Sequence, residues 1–135
     1  MVGDWLQIDG KSYNVSVLSI KESASILYSE NTGRTMSIGA RMTLDPLGTF
    51  IGHKIVVARK GQNTREYDNL YNYLIQPRYD GIRVKAVHNQ STIDYDAYVS
   101  AVEREVQRID GAGKVVYWKE MDINIVPMEA QVLPE

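Results

Sequence analysis

Few residues in this chain carry the side chains that chemistry needs. There is no cysteine, which excludes thiol nucleophiles, disulfide scaffolds, iron–sulfur clusters and zinc ribbons. His53 and His88 are the two histidines, and either could serve as a base or a ligand. Neither stands in an H-E-x-x-H pattern, and no G-x-S-x-G elbow accompanies them, so each reads as a surface or hydrogen-bonded structural histidine. Asp94 and Asp96 would share one face of a strand and could together touch a cation. A hard metal wants about six oxygens, however, and no acidic loop completes the set. Glu103 and Glu105 invite a carboxylate pair for glycosidic chemistry, but spacing alone gives neither a separation nor a raised pKa; a solvated charge pattern is the simpler reading.

Gly111-Ala112-Gly113-Lys114 resembles part of a phosphate loop. That loop requires G-x-x-x-x-G-K-[ST], whose amides wrap the phosphates and whose last hydroxyl reaches magnesium. Arg108 occupies the place of the first glycine and Val115 that of the hydroxyl, so the segment reads as a hairpin loop. Nine tyrosines and two tryptophans could form a stacking platform for single-stranded nucleic acid. Basic residues do not interleave with them, which favours core or subunit-interface packing. No catalytic, cofactor-binding or metal-binding residue is assigned, and no cofactor is expected.

The elements that would position these residues can be read from the hydrophobic pattern. At 135 residues, with 44% hydrophobic and 24% charged, the chain has the size and balance of one globular domain. A formal charge of −2 gives no basic excess for general duplex binding. No apolar run is long enough to span a membrane, and Met1-Val2-Gly3-Asp4-Trp5 lacks the basic start and apolar stretch of a secretory signal. The expectation is a cytosolic product with no membrane insertion.

Asp9-Gly10, between residues 5–8 and Tyr13, Val15 and Val17, predicts a tight hairpin. The alternation changes phase near Leu18, as a bulge or a switch of sheets would require. Further strands are expected at residues 25–28, 34–44 and 50–58, with a turn at Asp45-Pro46-Leu47-Gly48. Tyr67, Leu70, Tyr71 and Leu74 recur at helical spacing, predicting one helix over about residues 64–76, capped by Thr64 and stopped by Pro77. Ile82, Val84 and Ala86, then Ile93, Tyr95, Ala97 and Val99, then Met121, Ile123 and Ile125 alternate as half-buried strands. Residues 102–109 fit either a helix or a strand; a long antiparallel hairpin over residues 99–126 is the preferred reading. The tally is about eight strands and one flanking helix: a mainly β chain, as a sandwich or partly closed barrel. Residues 127–135 read as an extended tail, suited to being held by a neighbouring subunit.

Four short segments occur in a suggestive order: Leu6-Gln7-Ile8-Asp9-Gly10-Lys11, Glu30-Asn31-Thr32-Gly33-Arg34-Thr35, Leu47-Gly48-Thr49-Phe50 and Tyr67-Asp68-Asn69-Leu70-Tyr71. They resemble the "ING-K", "ENSGRT", "IGT-Y" and "YD-LY" segments of small tail proteins of long-tailed bacteriophages, notably the amino-terminal domain of distal tail (baseplate hub) proteins. The resemblance covers about residues 5–100. It implies a tail-tube-like β-sandwich, assembling as a six-fold ring through which DNA passes without specific binding, in a virion tail built in the host cytoplasm. It also implies tube, tape-measure and hub proteins as partners, and no catalytic residues. Distal tail proteins usually carry a second domain for which 135 residues leave no room, so tube, terminator and head–tail connector positions stay open. Candidate assembly contacts are Glu30, Asn31 and Arg34 on one loop and Val102, Val106, Tyr117 and Trp118 on the long hairpin. The readings from other classes are a cytosolic ligand- or nucleic-acid-binding β-barrel, which needs a concave pocket, and a small hydrolase, which needs converging acids.

Overall fold

The computed structural model describes residues 5–30, 32–33 and 41–135. Its strands are β1 (Leu6–Ile8), β2 (Val15–Tyr28), β3 (Pro46–Arg59), β4 (Ile82–His88), β5 (Ser91–Ile109) and β6 (Val116–Pro127), with one helix, α1 (Thr64–Leu74). They form a single antiparallel sheet in the order β1-β4-β5-β6-β3-β2. The mainly β expectation with one helix holds. The described residues form six strands, where about eight were expected, in one sheet that does not close into a barrel, with no second sheet among them.

Three merged segments explain the difference. The stretches expected at residues 15–20 and 25–28 are one 14-residue strand, β2. Its change of phase is a bulge between Val17 and Ser19, which rotates Leu18 out of the core. The turn expected at residues 45–48 is instead the start of β3, where Pro46 occupies the first strand position that proline tolerates. Residues 102–109 are strand, because they pair with β6 as far as Ile109↔Val116. The strand expected at residues 34–44 falls mostly outside the described residues; its visible end forms an isolated bridge between Gly33 and Thr43.

The Asp9-Gly10 turn forms as expected, with φ of +52° and +78° and Ile8 bonded to Lys11. The chain then leaves it, however: β1 pairs with β4, not with β2. Asp9 secures this arrangement by accepting hydrogen bonds from the Arg83 amide and the Tyr73 hydroxyl on α1.

All six strands present their apolar residues to one face of the sheet. Ile8, Val84, Tyr95, Ala97, Ile123, Ile125, Ile55 and Val57 are buried there, and Tyr67, Leu70 and Leu74 of α1 join the same cluster. Burying such side chains contributes roughly 1.5–3 kcal/mol each, so this face dominates the stability. The helix ends two residues before the expected position 76, with Ile75 as its C-cap. Its N-cap is Asn63, not Thr64: the Asn63 side chain accepts from the Glu66 amide at 3.2 Å. Asn63→Ala is expected to cost about 1 kcal/mol by urea denaturation, while Thr64→Ala should cost much less.

The tail after β6 is tied to its own chain. Gln131 acts as a substitute peptide group, donating to the Ile51 carbonyl at 2.7 Å and accepting from the Ile51 amide at 2.8 Å. Val132 forms a bridge with Thr49. Gly48 permits the approach, since a Cβ there would meet Ala130 and the Val132 carbonyl. No described helix is long and apolar enough to cross a membrane.

Candidate functional site

The sheet leaves two long edges without a partner strand. Among the described residues β2 pairs only with β3, so no backbone ladder runs along its outer edge. Among the same residues β5 pairs with β4 only as far as Ala97 but with β6 to Ile109, so its other edge has no strand partner from Tyr98 onward. Residues 23–28 of the first edge, Ser-Ala-Ser-Ile-Leu-Tyr, include neither a charge nor a proline, the devices that usually protect such an edge.

Two ribbons extend beyond the core. Pairing between β3 and β6 covers only His53–Val57 against Met121–Ile125, so the upper half of β2–β3, flanked by the tail at Thr49 and Ile51, and the outer half of β5–β6, as a two-stranded hairpin, project beyond the six-stranded body. The first exposes Ile26 and Leu44, both 59% accessible, with Leu27, Tyr28 and Leu47. The second exposes Val106, Val116 and Ile109, the last also 59% accessible. A two-stranded ribbon is marginally stable in water by itself, and apolar residues on it gain only when something covers them.

Among the expected contact residues, Glu30 is exposed at the tip of the first ribbon, beside a loop closed by hydrogen bonds from Ser29 to Asp45 and from the Asp45 amide to the Thr32 hydroxyl. Asn31 and Arg34 lie outside the described residues. Val102 is half-buried against the core, and Val106 is exposed on the second ribbon. Tyr117 lies beneath the guanidinium groups of Arg59 and Arg108, at 4.6 and 4.0 Å. Trp118 packs on Arg104 at 3.9 Å. That guanidinium is also 3.6 Å from the Tyr71 ring and donates to Asp68 at 2.9 Å, so α1 and the base of the β5–β6 ribbon are joined through one side chain. The sequence did not single out Arg104; its alternation with Val102 on a core-facing strand was the available signal.

Charge on the outer face of the sheet is segregated. Lys21 stands opposite Lys54 on β2 and β3, whereas Glu103 stands opposite Asp122 on β5 and β6. Like charges directly opposite one another cost a few tenths of a kcal/mol or more; here the basic and acidic pairs line one depression of the same outer face, where each offsets the other. By contrast, Asp94 and Asp96 face Lys85 and Arg83 across the β4–β5 ladder, with Arg83 bonding Asp96 at 3.2 Å. They form a salt-bridged surface rather than a cation site. Glu105 is bonded by Lys119 at 3.4 Å. Gly111–Lys114 is the β5–β6 loop, turned by a bond from the Gly113 amide to the Asp110 carbonyl. No group of described acids and histidines is arranged to hold a metal.

The two histidines do meet, which spacing could not show. His53 is the one buried polar residue of the described core, at 1% exposure. Its Nδ1 lies 2.6 Å from the Tyr95 hydroxyl and its Nε2 lies 3.1 Å from the Val87 carbonyl. Glu22 approaches His53 at 3.4 Å and His88 at 2.7 Å. Burial pushes the His53 pKa below its ordinary value, against the opposing pull of the Val87 carbonyl and Glu22. Burial, helped by Glu22, pushes that of Tyr95 up, so its hydroxyl keeps its proton. Elsewhere in the core, Leu6, Ile8, Val15, Val17 and Ile55 leave a space of only about 20 Å³. His53 is among the residues around an open depression of about 430 Å³, with Ser23, Ser25, Leu27 and Phe50. Neither protein-family models, nor curated proteins, nor solved structures give a match to the chain.

Proposed function

We propose that the protein is a structural subunit of a bacteriophage tail, of the distal tail or baseplate-hub type, which closes into a ring, six-fold by the resemblance, around the DNA channel. The observation that carries the reading is the pair of open edges and overhanging apolar ribbons: a surface that gains stability when copies or adjoining tail proteins cover it. The tail-tube-like character belongs to the same proposal, as do the alternative positions of tube, terminator or connector. A net charge of −2 suits a lumen that lets DNA slide. The reading assigns no catalysis and no cofactor.

Native mass spectrometry and negative-stain electron microscopy, with and without partner tube and hub proteins, test the proposal. The wild-type chain is expected to form closed rings, and Ile26→Lys with Leu27→Lys to leave folded monomers with an unchanged near-ultraviolet circular dichroism spectrum. A chain that stays monomeric at high concentration, with or without the other tail proteins, would sink it.

A further inference from the structure

The strands β2 and β4 lie at opposite sides of the sheet order, yet their side chains meet because the sheet curls on itself. No backbone ladder joins them, so the seam is closed by side chains. His53 reaches across from β3 to the Val87 carbonyl on β4 and the Tyr95 hydroxyl on β5. Glu22, directly opposite His53 on β2, meets both His53 and His88 with one carboxylate oxygen. We propose that Glu22, His53 and His88 form a proton-operated latch on this seam, holding the β2–β3 ribbon to the body while His53 is neutral and releasing it when His53 takes up a proton.

The donor and acceptor roles follow from the partners. Nε2 of His53 faces a carbonyl and a carboxylate, both acceptors only, so it carries the hydrogen. Nδ1 is then the acceptor in the neutral ring, and the Tyr95 hydroxyl donates to it. A second proton would have to enter at Nδ1, against a donor, in a place shielded from water. The groups that act on it are Glu22 from β2, His88 from β4 and Tyr95 from β5, while β6 places only Ile125 opposite. Glu22 is the sole carboxylate among them, and its one oxygen is divided between His53 and His88.

The sign follows from linkage. The pKa of His53 lies below its ordinary 6.5 while the seam is closed, and an opened seam returns the ring to water and to that value. Closure is therefore fully favoured above about pH 6.5 and weakens as pH falls toward the lowered pKa. Within that window one proton raises the ratio of open to closed seam by up to about tenfold per pH unit.

Hydrogen exchange followed by mass spectrometry, corrected for intrinsic rates, reads the latch between pH 7.5 and 5.5. Peptides from residues 18–28 and 82–88 are expected to lose protection by up to about tenfold over the last unit, while α1 and residues 121–125 keep theirs. His53→Gln, which cannot take up the proton, should abolish the dependence. An equal slope in His53→Gln, or loss of protection by every element together, would overturn the proposal. Where that variant does not fold, the wild-type ring signals decide by nuclear magnetic resonance. Protonation of His53 near pH 6.5 with the seam still protected refutes the latch, and a ring that charges only in the opened form supports it. The latch stands independently of the tail reading, since exchange reports the seam and ring assembly is measured separately.

Discussion

Replacing Gly81 by alanine is expected to lower the unfolding free energy by about 3 kcal/mol, read as a drop in the urea midpoint with unchanged m-value. Gly81 sits at φ +69° just before β4, a backbone conformation that costs an L-residue roughly 1–2 kcal/mol. An added Cβ would also press into the Ala97 carbonyl oxygen and come within 3.0 Å of the Met128 sulfur. The sulfur can move, but the carbonyl belongs to the β4–β5 ladder, where Ile82 is paired with Ala97. Overpacking of this kind adds roughly 1–3 kcal/mol. Gly111→Ala supplies the control, because nothing lies within 4 Å of a Cβ there; it should change stability by less than about 0.5 kcal/mol. Equal effects at the two sites would show that the Ala97 contact is relieved at little cost.

The hydrophobic pattern made legible those elements whose stability comes from one buried face. Ile82, Val84 and Ala86 alternate with exposed or half-exposed Arg83 and Lys85, and the stripe Tyr67, Leu70 and Leu74 packs as the helix face. The Asp9-Gly10 turn was equally legible, because its positive φ values are a local matter of residue type. The partner of β1 was not, since Leu6↔Ala86 joins residues eighty apart and leaves no mark on local periodicity. The strand expected at residues 25–28 is the end of β2, but its continuity with residues 15–20 escaped for another reason: residues 21–24 are exposed on both faces, so no alternation of burial distinguishes strand from loop. For residues 102–109 the good helix formers competed with a strand whose hydrogen bonds to β6 decide the outcome.

His53 is a hydrogen-bonded structural histidine, one of the two expected settings, but its meeting with His88 and Glu22 depends on strands far apart in the sequence. His53 occupies the same phase as Ile51, Ile55 and Val57, and His88 continues the phase of Ile82, Val84 and Ala86. Glu22 follows Ile20 on the inner face of β2, opposite His53. Three titratable residues in core-facing register on three strands constitute a signal, but only once the strands are known to converge. Gln131 is a similar case, a polar residue in an unpatterned tail whose amide fits the unpaired backbone of Ile51.

Arg104→Ala is expected to cost about 3 kcal/mol, and Arg104→Lys about half as much. The guanidinium lies between the Tyr71 and Trp118 rings, 3.6 and 3.9 Å from their centroids, and its side chain is only 14% exposed. Each such stack contributes roughly 0.5–2 kcal/mol, and the charged hydrogen bond to Asp68 roughly 1.5–3, without simple additivity. Lysine keeps the charge but loses the planar fork that stacks between two rings. A double-mutant cycle with Trp118→Leu should return a coupling of about 1 kcal/mol; a value near zero would mean that the rings merely cover the cation. The consequence reaches beyond stability, because Arg104 stands where β5 leaves the core and the second ribbon begins. With the link to α1 cut, residues 105–120 lose their fixed direction, and proteolysis in the 110–114 loop should accelerate before the rest of the chain unfolds. If the ribbon must be aimed at a neighbouring copy, Arg104→Ala should therefore impair ring formation at temperatures where the monomer is still folded, whereas Gly81→Ala should impair it only as the fold itself is lost.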